Sequence, residues 1–225
     1  MKLCMFHPVA MPMERGWVGR VEGDEVVHLA AQTLQHVFTG GGKARDHARY
    51  PLSEVSLLSP VAVPPSIRVF DEGGAFEFAN PAALVGPGAV ISAPDAAIEL
   101  DAGLAGLVGL DAVVAVSPVA RLRAPALAPP KDRDFGIVLG PWFTTLDEAP
   151  RAAPSVVVTA GGATTKATAN EVDWEGARLF AEANTRLRVG DLLLAPATVT
   201  ADVPPGEAVV DVAGLGRLEL AAEAA

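Results

Sequence analysis

Nineteen prolines are spread from one end of this 225-residue chain to the other, and they set the tightest limit on what it folds into. Inside a helix a proline removes a hydrogen bond and clashes with the preceding turn. Inside a sheet it is tolerated only at edges, ends and bulges. Short strands linked by turns accommodate that spacing, and long helices do not. Half of the residues are apolar, mostly Ala, Val and Leu, so a sizeable core can form. The expected fold class is mainly β with few helices, an α+β chain.

Three strands are expected first, over residues 2–6, 17–20 and 25–29, with Glu22-Gly23-Asp24 as the tight turn of a hairpin. Residues 29–38 carry helical spacing. The proline-rich stretch 61–65 predicts a boundary between a small N-terminal β domain, residues 1–65, and a larger domain over 66–225. Beyond it, strands are predicted at 67–70, 89–91, 104–109, 112–116, 156–160, 192–194, 208–212 and 216–220. The clearest helix is 173–184. Trp174, Ala177, Phe180 and Ala181 share one of its faces, and Asp173 and Glu175 lie in its first turn. Two turns, Arg188-Val189-Gly190-Asp191 and Pro204-Pro205-Gly206-Glu207, precede apolar strands, and in each the acid after glycine is expected to cap the turn.

Seventeen basic against 27 acidic residues give a net charge of −10, which repels nucleic acid and anionic membranes. Cys4 is the sole cysteine, so no internal disulfide and no cysteine-based zinc cluster can form; its apolar neighbours predict a buried, inert thiol. The opening residues, Met1 to Pro8, are too short in apolar length for a secretory signal, and no run reaches the ~18 apolar residues of a membrane span. A cytoplasmic protein is expected. Gly40-Gly41-Gly42 follows no strand and lacks the Lys-Ser or Lys-Thr pair of a P-loop, so it is read as a loop. His7, His28, His36 and His47 all lie in the N-terminal part and are read as solvated or core residues.

Several short texts occur in a telling order. They are Glu14-Arg15-Gly16-Trp17-Val18-Gly19, Val26-Val27-His28-Leu29-Ala30, Leu57-Leu58-Ser59-Pro60-Val61 and Pro64-Pro65-Ser66-Ile67-Arg68. Phe78-Ala79-Asn80-Pro81-Ala82-Ala83, Gly86-Pro87, Gly140-Pro141-Trp142, Gly190-Asp191 and Gly214-Leu215-Gly216-Arg217-Leu218 follow. Together they resemble the fumarylacetoacetate hydrolase family over nearly the whole chain. The resemblance implies a β-roll catalytic domain behind a small N-terminal domain, and members that pair through the catalytic domain. It also implies a magnesium or calcium ion held by two glutamates and an aspartate, with a lysine and a threonine nearby. That hard cation polarises a 2-oxo or β-diketo acid while a histidine or glutamate activates water.

Matched residue by residue, those requirements are not met. The paired glutamates fall on Asp101 and Gly103, and the third carboxylate falls on Ser117. Glu99 and Asp101 keep an acidic pair of the right period, displaced by two residues. The lysine and threonine fall on Arg133 and Ile137, with Lys131 two residues earlier. The segment after Arg68 is shortened and holds no histidine. The pocket-closing turn reads Leu194-Ala195-Pro196-Ala197-Thr198, without glycine where backbone would approach a ligand.

Three functional readings follow. In the first, the chain is a degenerate family member, a pseudoenzyme or partner subunit with no metal cofactor, in a homodimer or a mixed oligomer with a related subunit. In the second, it is a metal-free lyase, isomerase or cyclase acting on a small oxo-acid ligand through Asp101, Arg121, Lys131, Arg133 and Asp134. An arginine there could clamp a carboxylate, although a surface salt-bridge network accounts for the same residues. In the third, it is an ordinary metal-dependent hydrolase with its ion on Glu99 and Asp101.

Overall fold

The computed structural model describes residues 1–40 and 44–224. It holds nineteen strands and two α-helices among them. The N-terminal strands are β1 (Lys2–Pro8), β2 (Trp17–Glu22), β3 (Glu25–Leu29), β4 (Asp46–Pro51) and β5 (Val55–Leu58), with helix α1 (Leu34–Thr39) between β3 and β4. Then come β6 (Ile67–Phe70), β7 (Phe76–Ala79), β8 (Leu84–Val85), β9 (Ala89–Ala93), β10 (Glu99–Val108) and β11 (Val113–Arg123). The last part runs β12 (Ile137–Leu139), β13 (Phe143–Thr145), β14 (Ser155–Ala160), β15 (Ala163–Thr168), α2 (Trp174–Glu182), β16 (Leu192–Leu194), β17 (Val199–Asp202), β18 (Gly206–Val212) and β19 (Gly216–Ala224).

The long β10–β11 hairpin organises the molecule. Its two arms pair from Glu99↔Arg123 to Leu107↔Ala115. Each arm then divides its outer edge between two partners: β10 between β17 and β16, β11 between β12 and β13. The resulting fourteen-stranded sheet runs in the order β4-β3-β2-β1-β13-β11-β10-β16-β6-β7, with β5, β8, β12 and β17 as side branches. Hydrogen bonds between β1 and β13 carry that sheet across the 61–65 connection. A second sheet, β15-β14-β18-β19-β9, covers one face of the hairpin.

The hairpin is therefore buried on both faces. Leu100, Ala102, Leu104, Ala120 and Leu122 pack against Val156, Val210 and Leu218 of the second sheet. Ala105, Leu107, Ala115 and Val119 point the other way, onto Leu3, Ile67, Ile137, Phe143 and Leu192. Two-sided burial explains why 104–109 reads as a continuous apolar run rather than an alternating one. Each fully buried Leu in these layers contributes roughly 1.5–3 kcal/mol.

Both arms extend further than expected from the sequence. The apolar pattern predicts strands at 104–109 and 112–116, but the ladder continues to Glu99 and Arg123. Pro118, which argues against an interior strand, sits at the fork. The Leu104 carbonyl accepts from the Ala195 amide, so Leu104 turns its polar groups away from β11 and Leu104↔Pro118 is a non-hydrogen-bonded pair. The proline's missing donor thus falls where β11 changes partner from β13 to β12.

The β2–β3 hairpin forms as expected, with Gly23 at φ +59° in the first central position of its two-residue loop. The first helix is shorter than its spacing suggests. Leu29 stays in β3, and the Thr33 hydroxyl caps α1 by accepting from the His36 amide at 3.2 Å. The Asp173 carboxylate caps α2 through the Gly176 amide at 2.9 Å. Asp191 caps its turn, accepting from the Arg188 amide at 2.7 Å. Glu207 does not: it is an exposed residue within β18 and has no side-chain hydrogen bond among the described residues. Gly41 and Gly42 lie outside the described residues. No helix among the described residues is long and apolar enough to cross a membrane.

Candidate functional site

The open end of the β10–β11 hairpin gathers most of the charged residues singled out from the sequence. Asp101 and Arg121 are directly paired in the ladder, as are Glu99 and Arg123. Asp101 is only 9% exposed and receives four donors. Arg123 Nε approaches its Oδ2 at 2.5 Å and Arg123 Nη2 its Oδ1 at 3.1 Å; Thr200 Oγ1 donates at 2.7 Å and Arg121 Nη2 at 3.3 Å. Burial opposes ionisation of Asp101. The Arg123 and Thr200 hydrogen bonds, with the charges of Arg123 and Arg121, outweigh it and hold the carboxyl below its ordinary range.

The network continues outward. Arg121 Nη1 donates to Glu77 at 2.7 Å, and Glu77 accepts on its other oxygen from Arg133 at 2.6 Å. Arg133 also grips Asp132 at 2.8 and 2.5 Å. Three guanidinium groups thus face four carboxylates, Glu77, Glu99, Asp101 and Asp132. Every arginine is committed to two acids, which leaves no surplus positive charge for an incoming carboxylate. Lys131 and Asp134 lie apart, paired with each other at 2.8 Å near the surface. Arg123, Glu77 and Thr200 were not singled out from the sequence. Hairpin register would have found Arg123, since the pairing that sets Arg121 opposite Asp101 also sets Arg123 opposite Glu99.

The positions matched to the family's metal ligands do not suit a hard cation. The Arg123 guanidinium spans Glu99 at 2.8 Å and Asp101, and so supplies the positive charge of that acidic pair itself. At Gly103, a Cβ would already meet the Pro196 carbonyl at 3.4 Å and the Thr198 amide at 3.6 Å. These are ordinary van der Waals separations, so the backbone of 196–198 lies directly beside this position. Ser117 is fully buried, and its hydroxyl donates to the Pro118 carbonyl at 3.2 Å. It pairs with Ala105, four residues along β10 from Asp101, or roughly 13 Å. Two such short side chains cannot share an ion whose oxygen ligands lie within about 2.6 Å. Ile137, in the threonine position, is core. Among the described residues no three His, Cys, Asp or Glu side chains are grouped so as to hold a metal ion.

A wider open space borders the 195–198 segment at Ala195, Pro196 and Thr198. It is a cavity of about 770 Å³. Leu104, Phe70 and Trp174 line it, with the β6–β7 turn, the 169–173 stretch and the first turns of α2 as its walls. By contrast, only about 40 Å³ remains around Asp101, Gly103 and Arg121.

The α2 face of Trp174, Ala177, Phe180 and Ala181 is only partly buried. Trp174 packs over Gly106 and Ala181 enters the core, but Phe180 is 54% exposed. Phe180 lies 5.8 Å from Phe76, which lies 5.6 Å from the 67%-exposed Phe78, so an aromatic patch flanks the sheet-edge strand β7.

No protein-family model and no curated protein matches the chain. Solved structures do. The maleylpyruvate hydrolase of Sphingobium sp. SYK-6, solved with manganese(II) and pyruvate, superposes with a TM-score of 0.80 at 20% identity, covering 99% of this chain and 98% of that one. The 5-carboxymethyl-2-hydroxymuconate delta-isomerase of Mycobacterium smegmatis gives 0.79 at 16% identity with both chains fully covered. The 2-hydroxyhepta-2,4-diene-1,7-dioate isomerase of Mycobacterium marinum gives 0.76 at 20% identity, covering 99% and 98%. These neighbours are members of the fumarylacetoacetate hydrolase family. At such identities the likeness shows the fold, and the fold expected from the sequence resemblance is the fold found.

Proposed function

We propose that this chain, built on the fold of the fumarylacetoacetate hydrolase family, is a member whose metal site is degenerate and which serves as a pseudoenzyme or partner subunit. The observation that carries this reading is the Arg123 guanidinium lodged between Glu99 and Asp101. A divalent ion would have to displace a cation that is covalently part of the chain and makes three bonds to those two carboxylates. The fully buried Ser117 supports the same reading. The neighbours' hydrolase and isomerase activities remain properties of those proteins.

The test is calorimetric titration of the purified protein with magnesium, calcium and manganese(II), beside a hydrolysis assay on small 2-oxo and β-diketo acids. No saturable ion binding and no turnover is the expected result. Millimolar or tighter binding that Glu99→Gln abolishes would sink the proposal and restore the displaced site. Turnover that persists with chelator and is lost in Arg133→Ala would instead favour metal-free catalysis.

A further inference from the structure

We infer that the 770 Å³ cavity is a binding site for an amphipathic organic cation, an amine or quaternary ammonium carrying an apolar group. The argument concerns the cavity alone and stands or falls independently of the metal ligands. Its floor is apolar and aromatic. Leu104 and Phe70 are buried at its base, and Trp174, Ala177 and Phe180 continue the wall along α2. A pocket of this size with such a floor is what small-molecule sites require.

The charged side chains around that floor are all acidic, beside the neutral Asn170 and Thr198. Asp71 and Glu72 stand on the β6–β7 turn, and Glu171 and Asp173 on the stretch leading into α2. Among the described residues lining the cavity there is no Lys, Arg or His. Arg151 lines an adjoining cavity that shares Leu104, Glu171 and Trp174 with this one. Two of the four carboxylates are fixed by the backbone: Asp71 accepts from the Ala75 amide at 3.0 Å, and Asp173 from the Gly176 amide at 2.9 Å. Glu72 and Glu171 make no ion pair among the described residues.

A low-dielectric wall with uncompensated carboxylates at its mouth focuses a negative potential into the space. Aromatic faces add attraction for a cation placed against them. An anionic oxo acid, the type of ligand in the manganese and pyruvate complex of the maleylpyruvate hydrolase, would meet four carboxylates and no cationic side chain in this lining. A cation with an aromatic or aliphatic tail satisfies floor and rim together.

Three isosteric probes test this by calorimetry on the intact protein: 3-phenylpropylamine, 3-phenylpropan-1-ol and 3-phenylpropionate. The amine is expected to bind saturably and about tenfold or more tighter than the propionate, with the alcohol between them. Raising the salt from about 0.01 M to about 1 M, which shortens the screening length from roughly 30 Å to 3 Å, should erase most of the difference. The exposed-residue variant Glu72→Gln/Glu171→Gln should weaken the amine several-fold and leave the alcohol unchanged. Propionate binding as tight as the amine, an unaffected double variant, or no saturable amine binding up to about 10 mM would each overturn the inference. A protein that binds the amine and also binds manganese would keep this inference while losing the functional proposal.

Discussion

Replacing Asp101 by Asn removes one charge at the centre of the network while keeping the side-chain shape. Fully exposed ion pairs contribute roughly 0–1 kcal/mol, whereas breaking a fully buried pair costs about 3–5 kcal/mol. Asp101 is nearly buried, but Arg121 and Arg123 are 13% and 28% exposed, and each keeps a second acid, Glu77 or Glu99. The expected loss therefore lies between those limits, at about 2–3 kcal/mol. For a chain of this length that corresponds to a fall in Tm of roughly 5–10 °C. The loss should depend on pH. The folded carboxyl is held below its ordinary range, so its contribution is present above the unfolded value near ~3.9 and disappears as pH falls through the lower folded value. Urea unfolding at neutral pH and again near pH 3 reads both effects: a deficit at neutral pH that narrows in acid. A double-mutant cycle with Arg123→Met should return a coupling above ~0.5 kcal/mol. A deficit below about 0.5 kcal/mol, or one that does not narrow in acid, would refute the claim that Asp101 is held ionised by these guanidinium groups.

Three other outcomes follow from the packing. Gly106→Ala would place a Cβ 2.7 Å from the Trp174 ring and 3.0 Å from Val113, so it should destabilise the fold by about 1–3 kcal/mol in a thermal melt. Cys4 is fully buried, and burial pushes its thiol up to about 12; it should resist a thiol reagent at neutral pH until the protein is unfolded. If the chain pairs through its aromatic edge, light scattering after size exclusion should show a dimer that Phe78→Ser with Phe180→Ser converts to a monomer, and a wild-type protein that runs as a monomer with no partner would end that expectation.

Much of the fold was legible because strand periodicity and turn chemistry are local. The 67–70 and 192–194 strands occur at the expected residues, as do the Gly23 turn and the Asp173-capped helix. Some missed strands did carry a local signal, such as the alternating β7 (Phe76–Ala79) and the apolar β12 (Ile137–Leu139), whereas others lacked one or carried a contrary one. β15 is a polar edge strand, Ala163–Thr168, without apolar alternation. Its turn, Gly161-Gly162 with φ +54° and +80°, was the available clue. Pro118 hid the second half of β11, since nothing near it in sequence reveals that its missing N–H faces a fork between two strands.

The charged site shows the division most plainly. From the sequence, the resemblance sets Asp101, Gly103 and Ser117 against the positions where carboxylates are expected, because side-chain identity at a matched position needs no coordinates. It could not establish what those residues do instead. Arg123 reaches Glu99 and Asp101 only because the hairpin extends to 99 and 123 in one register. The cavity exists only where residues near 71, 104, 172 and 196 meet. Backbone preference is set within a few residues, but the partner of a charge and the sign of a pocket depend on contacts between distant segments, and those only the tertiary structure decides.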